Sequence, residues 1–249
     1  MKILCLNTWG CRVPEIFDYI SKNSSSIDVF CFQEVLTGSV GRAEKGDVKN
    51  CFGLIQNLLP DYTGYFLEYP DESYYGIRSA ELDFKFGLAY FVRKDIPSKD
   101  LGGVQLCKQA NHSDRLACGL LQAVKINEYT IFNTHGIWQE GGKGDTDARF
   151  EQLRNIGKFV EGNTDDNEKK IICGDLNTLP GTDFIGAFDD KYRNLIKEFN
   201  IQSTRSNLYK KNLRFADYIF TDNEINVEEC YTEDAAVSDH LPIILNVNT

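Results

Sequence analysis

Short apolar runs that stop abruptly at a polar group recur along this chain, and they limit what it can fold into. The sharpest is Ile171-Ile172-Cys173-Gly174-Asp175-Leu176-Asn177-Thr178. Runs of this kind build buried strands, and a glycine near the end lets the backbone turn sharply or admit another group closely. Asp175 and Asn177 stand two apart, so an extended backbone puts them on one face. The carboxylate offers oxygens to a cation or a water proton, and the carboxamide offers a donor and an acceptor. A turn whose side chains bond their own backbone explains the same octet. Partners elsewhere in the chain must decide.

Residues 3–6 form an earlier run that ends at Asn7, and residues 28–32 one that ends at Gln33-Glu34. Further strands are predicted over 62–68, 86–92, 116–126, 129–134, 215–221, 227–231 and 243–247, rich in apolar and β-branched residues. Asn127-Glu128 is a tight link that makes its two flanking strands a hairpin. Apolar residues at helical spacing predict a helix opening at Pro14, another over 52–59, and an amphipathic one carrying Phe150, Leu153, Ile156, Phe159 and Val160. Short helices are expected over 183–188 and 191–199. Many short strands with helices among them, partly joined by hairpins, predict one α/β domain over residues 1–249, built of two packed sheets flanked by helices. A doubly wound parallel sheet fits less well.

The formal net charge of −10 argues against a broad grip on a nucleic-acid backbone, although a local basic cleft is compatible with it. No apolar run approaches the ~20 residues of a membrane span. Of the eight cysteines, Cys5, Cys31, Cys118 and Cys173 lie within apolar runs, and no Cys-x-x-Cys pair occurs. They read as buried thiols in a reducing compartment. The first residues carry too short an apolar run for a secretory signal, and a cytoplasmic location is expected.

If the sheets pack face to face, the polar strand ends can share one rim: Asn7, Glu34, His135, Asp175 with Asn177, and Asp239 with His240. Carboxylates with carboxamides are what a hard ion such as Mg²⁺ prefers, whereas thiolates or several histidines would suit zinc. A divalent ion neutralises phosphate charge, and histidines donate hydrogen bonds to it. The reaction class indicated is metal-assisted phosphoester hydrolysis.

Six segments together resemble the endonuclease/exonuclease/phosphatase superfamily, also called DNase I-like. They are Leu6-Asn7-Thr8-Trp9-Gly10, Phe32-Gln33-Glu34-Val35, Asn133-Thr134-His135, Gly174-Asp175-Leu176-Asn177, Asp217-Tyr218-Ile219-Phe220 and Ser238-Asp239-His240-Leu241-Pro242. The resemblance implies a four-layer α/β/β/α sandwich of two mixed sheets and a Mg²⁺- or Mn²⁺-dependent hydrolase. By it, Glu34 is the main metal ligand, with Asn7 beside it and Asp239 assisting. Asp175 orients or deprotonates the attacking water, and Asn177 positions phosphate and water. His240, paired with Asp217, and His135 hold phosphoryl oxygens.

Two departures weigh against the abasic-site endonucleases within that superfamily. Trp9 stands where they often carry a carboxylate, and His135 where they tend to have Tyr-x-Pro-Asn. A nuclease or phosphodiesterase is expected. A phosphodiesterase for lipid head groups, of the sphingomyelinase kind, an inositol-phosphate phosphatase and a non-catalytic scaffold are the alternatives. The partner implied is a phosphoester substrate, possibly nucleic acid, and no protein partner is predicted.

Around this set lie residues of undecided role. Arg149 and Gln152 open the amphipathic helix on one face, where Arg149 could bind substrate phosphate or the face could be solvated. Tyr74, Tyr75 and Arg78 could stack on a base or sugar, or pack on the core, and Trp138 is similar. Lys143 in Gly141-Gly142-Lys143-Gly144 has the wrong spacing for a Walker motif and reads as part of a flexible rim loop. His112 reads as a surface loop residue.

Overall fold

A computed structural model of the chain describes residues 1–69, 81–107, 116–117, 119–165 and 167–248. In chain order the strands are β1 (Lys2–Asn7), β2 (Val29–Gly38), β3 (Tyr62–Glu68), β4 (Phe84–Arg93), β5 (Ser98–Gln105), β6 (Leu116–Ala117) and β7 (Leu120–Ile126), then β8 (Tyr129–His135), β9 (Trp138–Gln139), β10 (Lys169–Asp175), β11 (Arg193–Asn194), β12 (Asp217–Thr221), β13 (Val227–Thr232) and β14 (Ile243–Val247). The helices are α1 (Glu15–Asn23), α2 (Cys51–Leu58), α3 (Asp147–Gly162), α4 (Asp183–Asp189) and α5 (Leu195–Glu198).

Period-two alternation sorts the strand residues into layers. Ile3 and Cys5 of β1, Val29 and Cys31 of β2, and Tyr90 and Val92 of β4 point into a core shared with Leu121, Ala123, Ile131 and Cys173 of the other sheet. Leu4, Leu6, Phe30, Phe32 and Phe91 point the opposite way, onto Ile16 and Ile20 of α1 and Ile55 of α2. On the far side, Ile156 and Val160 of α3 and Phe184 and Phe188 of α4 cover the second sheet. The architecture is two packed mixed sheets between helical layers, with strand orders β13-β14-β1-β2-β4-β3 and β11-β12-β10-β8-β7-β5. No described helix is long and apolar enough to cross a membrane.

Strand direction sets the rim. β1 and β2 run parallel in one sheet, as do β8 and β10 in the other. Their carboxyl ends therefore deliver Asn7, His135 and Asp175 together. β12 runs antiparallel to β10 with Asp217 opposite Asp175, and β14 antiparallel to β1 with Ile243 opposite Cys5. The amino ends of β12 and β14 thus bring Asp217 and the preceding Asp239-His240 to the same edge.

Several elements differ from expectation. β2 does not stop at Glu34 but continues to Gly38 through a register shift between Phe32 and Val35. Glu34 there has φ 55°, so it projects from a bulge, a device that re-aims a side chain. The expected strand over 116–126 is divided into β6 and β7, and the expected helix over 191–199 is reduced to α5 behind the short β11. β5 carries Gly102 and Gly103 and has no alternating apolar pattern. Its pairing with β7 rather than propensity makes it a strand.

Candidate active site

Asp175 is the point on which the rim closes. Gly174 before it has φ 140°, and a Cβ there would collide with the Thr134 carbonyl of β8, so glycine lets the two strands approach at the site. Asp175 Oδ1 accepts from the Asn177 amide at 2.7 Å, and Asn177 has φ 52°. The chain therefore turns after Asp175, and a shared extended face is not what unites the two side chains. Asn177 Nδ2 donates to the Gly136 carbonyl at 3.3 Å.

Asn7 bridges the sheets, its Nδ2 donating to Glu34 Oε1 at 3.0 Å and to Asp175 Oδ2 at 3.1 Å. Thr8 fixes the bulge, its hydroxyl donating to the Gln33 and Glu34 carbonyls at 3.0 Å each. His135 Nε2 lies 3.8 Å from Glu34 Oε1 and 3.9 Å from Asp175 Oδ2. Behind it, the Tyr69 hydroxyl meets Nδ1 at 2.9 Å. His240 Nε2 lies 3.5 Å from Asp175 Oδ2, while Nδ1 donates to both oxygens of Asp217 at 2.8 Å. Asp239 Oδ2 accepts from Arg205 Nη1 at 3.1 Å, and that same nitrogen closes on His240 Nε2.

Burial and charge set the protonation states. Burial and the Arg205 charge pull the His240 pKa down, but Asp217 and Asp175 outweigh them and hold it above the ordinary imidazole value. Burial pushes Asp175 up, yet His240, Lys143, Arg205 and His135 together hold it well below the usual carboxylate range. Glu34 keeps a raised pKa, because its desolvation exceeds the help from His135 and Asn7.

The donor set fits a hard cation. Asp239 Oδ1 is buried without a hydrogen-bond partner among the described residues, and Glu34 is a desolvated carboxylate in need of a positive neighbour. Asp175, Asp217 and His240 also present ligand atoms within 4.8 Å of one another. In that trio the Asp217 and His240 Nδ1 atoms already bond each other, so the freer oxygens belong to Glu34 and Asp239.

The remaining expectations fare differently. Arg149 is not on a solvated face, being 1% exposed. Its guanidinium donates to Gln139 Oε1 and the Gly144 carbonyl at 2.7 Å, and to the Gly142 and Asn177 carbonyls at 3.0 Å. Gln152 is fully buried, accepting from the Ile137 amide at 2.7 Å. Trp138 is 44% exposed on β9. Tyr74, Tyr75, Arg78, His112 and Cys118 lie outside the described residues. Cys5, Cys11, Cys31, Cys51, Cys173 and Cys230 are free and buried, and Cys107 is buried. Sequence alone does not single out Tyr69 or Arg205, and it reads Lys143 as rim. The Lys143 Nζ is in fact buried without a hydrogen-bond partner among the described residues.

The family model for the endonuclease/exonuclease/phosphatase family matches residues 4–240, which takes in every one of these strand ends. The chain belongs to that family. Curated proteins give no match. Among solved structures, an endonuclease/exonuclease/phosphatase family protein from Leptotrichia buccalis superposes with a TM-score of 0.70 at 17% identity, covering 100% of both chains. A mannosyl-6-phosphatase from Bacteroides thetaiotaomicron gives 0.64 at 16% identity, again over 100% of both. The human Nocturnin catalytic domain, solved with a sulfate anion, gives 0.64 at 17% identity over 100% of this chain and 93% of that one. At these identities the likeness to this family's structures is one of fold.

Proposed function

We propose that the protein is a Mg²⁺- or Mn²⁺-dependent phosphoester hydrolase in which water attacks phosphorus in line. The observation that carries this reading is the buried carboxylate of Asp175, bound by Asn7 and the Asn177 amide and faced by two histidines. Glu34, Asn7 and Asp239 would hold the divalent ion, which when bound supplies positive charge against the phosphate oxygens.

This chain's own residues do the rest. Asp175, held ionised by the surrounding cations, accepts a hydrogen bond from the attacking water and aims it. Asn177 positions water and phosphate. His240, oriented by Asp217, would donate Nε2–H to a phosphoryl oxygen as charge gathers there, the oxygen taking the place of the Arg205 guanidinium that faces Nε2 in this structure. His135 donates from Nε2 as well, its Nδ1 held by Tyr69. Donors fixed in a buried site need no reorganisation when that charge develops.

The test is a substrate panel, single-stranded DNA, sphingomyelin, inositol polyphosphates and sugar phosphates, each with Mg²⁺ and with chelator, run on wild type and Asp175→Asn. Metal-dependent turnover that vanishes in the folded variant is expected. Full activity in Asp175→Asn would sink the assignment.

A further inference from the structure

Lys143 presents an ammonium that nothing in the described fold satisfies. Its Nζ is buried without an acceptor among the described residues, and burial lowers its pKa to about 8, against the pull of Asp175 and Asp217. An unpaired buried cation is unfavourable, and a chain that retains one usually uses it.

The loop around it is built to hold it in place. Arg149 donates to the carbonyls on either side of Lys143, those of Gly142 and Gly144, and with the same guanidinium to the Asn177 carbonyl. The Leu179 amide donates to the Lys143 carbonyl at 3.2 Å. Asp145 then pins the loop to the start of α4 by accepting from the Asp183 and Phe184 amides at 2.9 and 3.0 Å. One buried arginine thus couples the lysine loop to the turn carrying Asp175 and Asn177. These contacts tie the loop to the site, while Gly141, Gly142, Gly144 and Asp145 themselves stay exposed at its rim.

We infer that Lys143 is a phosphate-contacting catalytic residue, whose ammonium takes a phosphoryl oxygen of the substrate as its missing acceptor, with Arg149 as the positioning residue that presents it. The inference rests on the hydrolase reading for its catalytic part. The phosphate contact stands on the loop geometry alone. An ammonium is a point charge with rotatable donors and suits a tetrahedral oxyanion whatever group the phosphate is attached to.

The test compares wild type with Lys143→Met, which keeps the length of the chain and removes the charge. Affinity for inorganic phosphate, measured calorimetrically with Mg²⁺ present, should fall about tenfold. The kcat/KM on whichever phosphoester the wild type hydrolyses should fall on the order of 10²-fold, as for loss of one oxyanion donor. The melting temperature should hold or rise, because a buried unpaired cation has been removed. A purely structural lysine would show the reverse, a lower melting temperature with unchanged phosphate affinity. If Lys143→Met does not fold, Lys143→Gln replaces it in both measurements. Wild-type phosphate affinity in the folded variant, or no phosphate binding by wild type, overturns the inference. A wild type that binds phosphate through Lys143 but hydrolyses nothing overturns only the hydrolase reading.

Discussion

His240 Nδ1 sits 2.8 Å from both oxygens of Asp217, across the rim between the ends of β14 and β12. The pair raises the His240 pKa above its ordinary value of 6.5, although burial and Arg205 act against it. A raised histidine pKa adds stability that is present below about 6.5 and is lost as pH climbs through the folded value. The same charge matters to turnover, because the imidazolium is the better donor to a phosphoryl oxygen. Asp217→Asn should lower kcat/KM on the order of 10²-fold and move the alkaline limb of the pH–rate profile to lower pH. An unmoved limb would remove His240 from the donor role.

Glu34 behaves in the opposite sense to a stabilising carboxylate. Desolvation raises its pKa above 4.5, so the folded state holds its proton more tightly than the unfolded chain. Its contribution to stability is full below about 4.5 and is lost as pH rises through the folded value. At neutral pH without metal, Glu34→Gln should therefore melt higher than wild type. It should also bind Mg²⁺ at least about tenfold more weakly by calorimetry, since a ligating carboxylate is gone. Undiminished Mg²⁺ affinity would take Glu34 out of the ligand set.

Tyr69 gives His135 a partner quite unlike that of His240, a phenol in place of a carboxylate. A hydroxyl that donates to Nδ1 leaves a proton on Nε2, facing Glu34 and Asp175, where His135 can donate it. Tyr69→Phe keeps the ring stacked on Phe86, whose centroid is 5.4 Å away, and removes only the hydroxyl. The expected result is a kcat about tenfold lower with little change in melting temperature. A kcat equal to wild type would show that the tautomer is set elsewhere.

What can be read from the sequence follows from locality. β1, β8, β10, β12 and β14 are short apolar runs whose ends carry the site residues, and Asn7, His135, Asp175, Asp217 and His240 stand at or beside those ends. Glu34 is legible for the wrong reason, since its strand runs on and a bulge turns the side chain out. The groups that escape the sequence are those whose role depends on distant atoms. Arg205 lies in an irregular segment and reaches the rim through an isolated bridge to His240. Tyr69 follows β3 and becomes a histidine partner only when β8 packs nearby. Arg149 resembles a phosphate clamp in sequence, and only the fold shows its terminal nitrogens engaged by backbone carbonyls and Gln139 Oε1.

Asn133 joins the two sheets beneath this rim. Its Nδ2 donates to the Phe32 carbonyl at 3.0 Å and the Ala89 carbonyl at 3.1 Å, and its Oδ1 accepts from Gln33 Nε2 at 2.6 Å. Phe32 and Ala89 are the last pair of the β2–β4 ladder before its register shifts toward Val35. Asn133 therefore binds backbone oxygens at the bulge that sets Glu34. Asn133→Ala would strand these buried groups, at a cost of about 3 kcal/mol. For a chain of this size that lowers the melting temperature by roughly 6–12 °C. Mg²⁺ affinity should fall with it, because the bulge loses a support, whereas in Glu34→Gln the affinity falls while the metal-free melting temperature rises. A melting temperature within about a degree of wild type would mean that water or a shifted Gln33 replaces the carboxamide, and that the bulge holds Glu34 unaided.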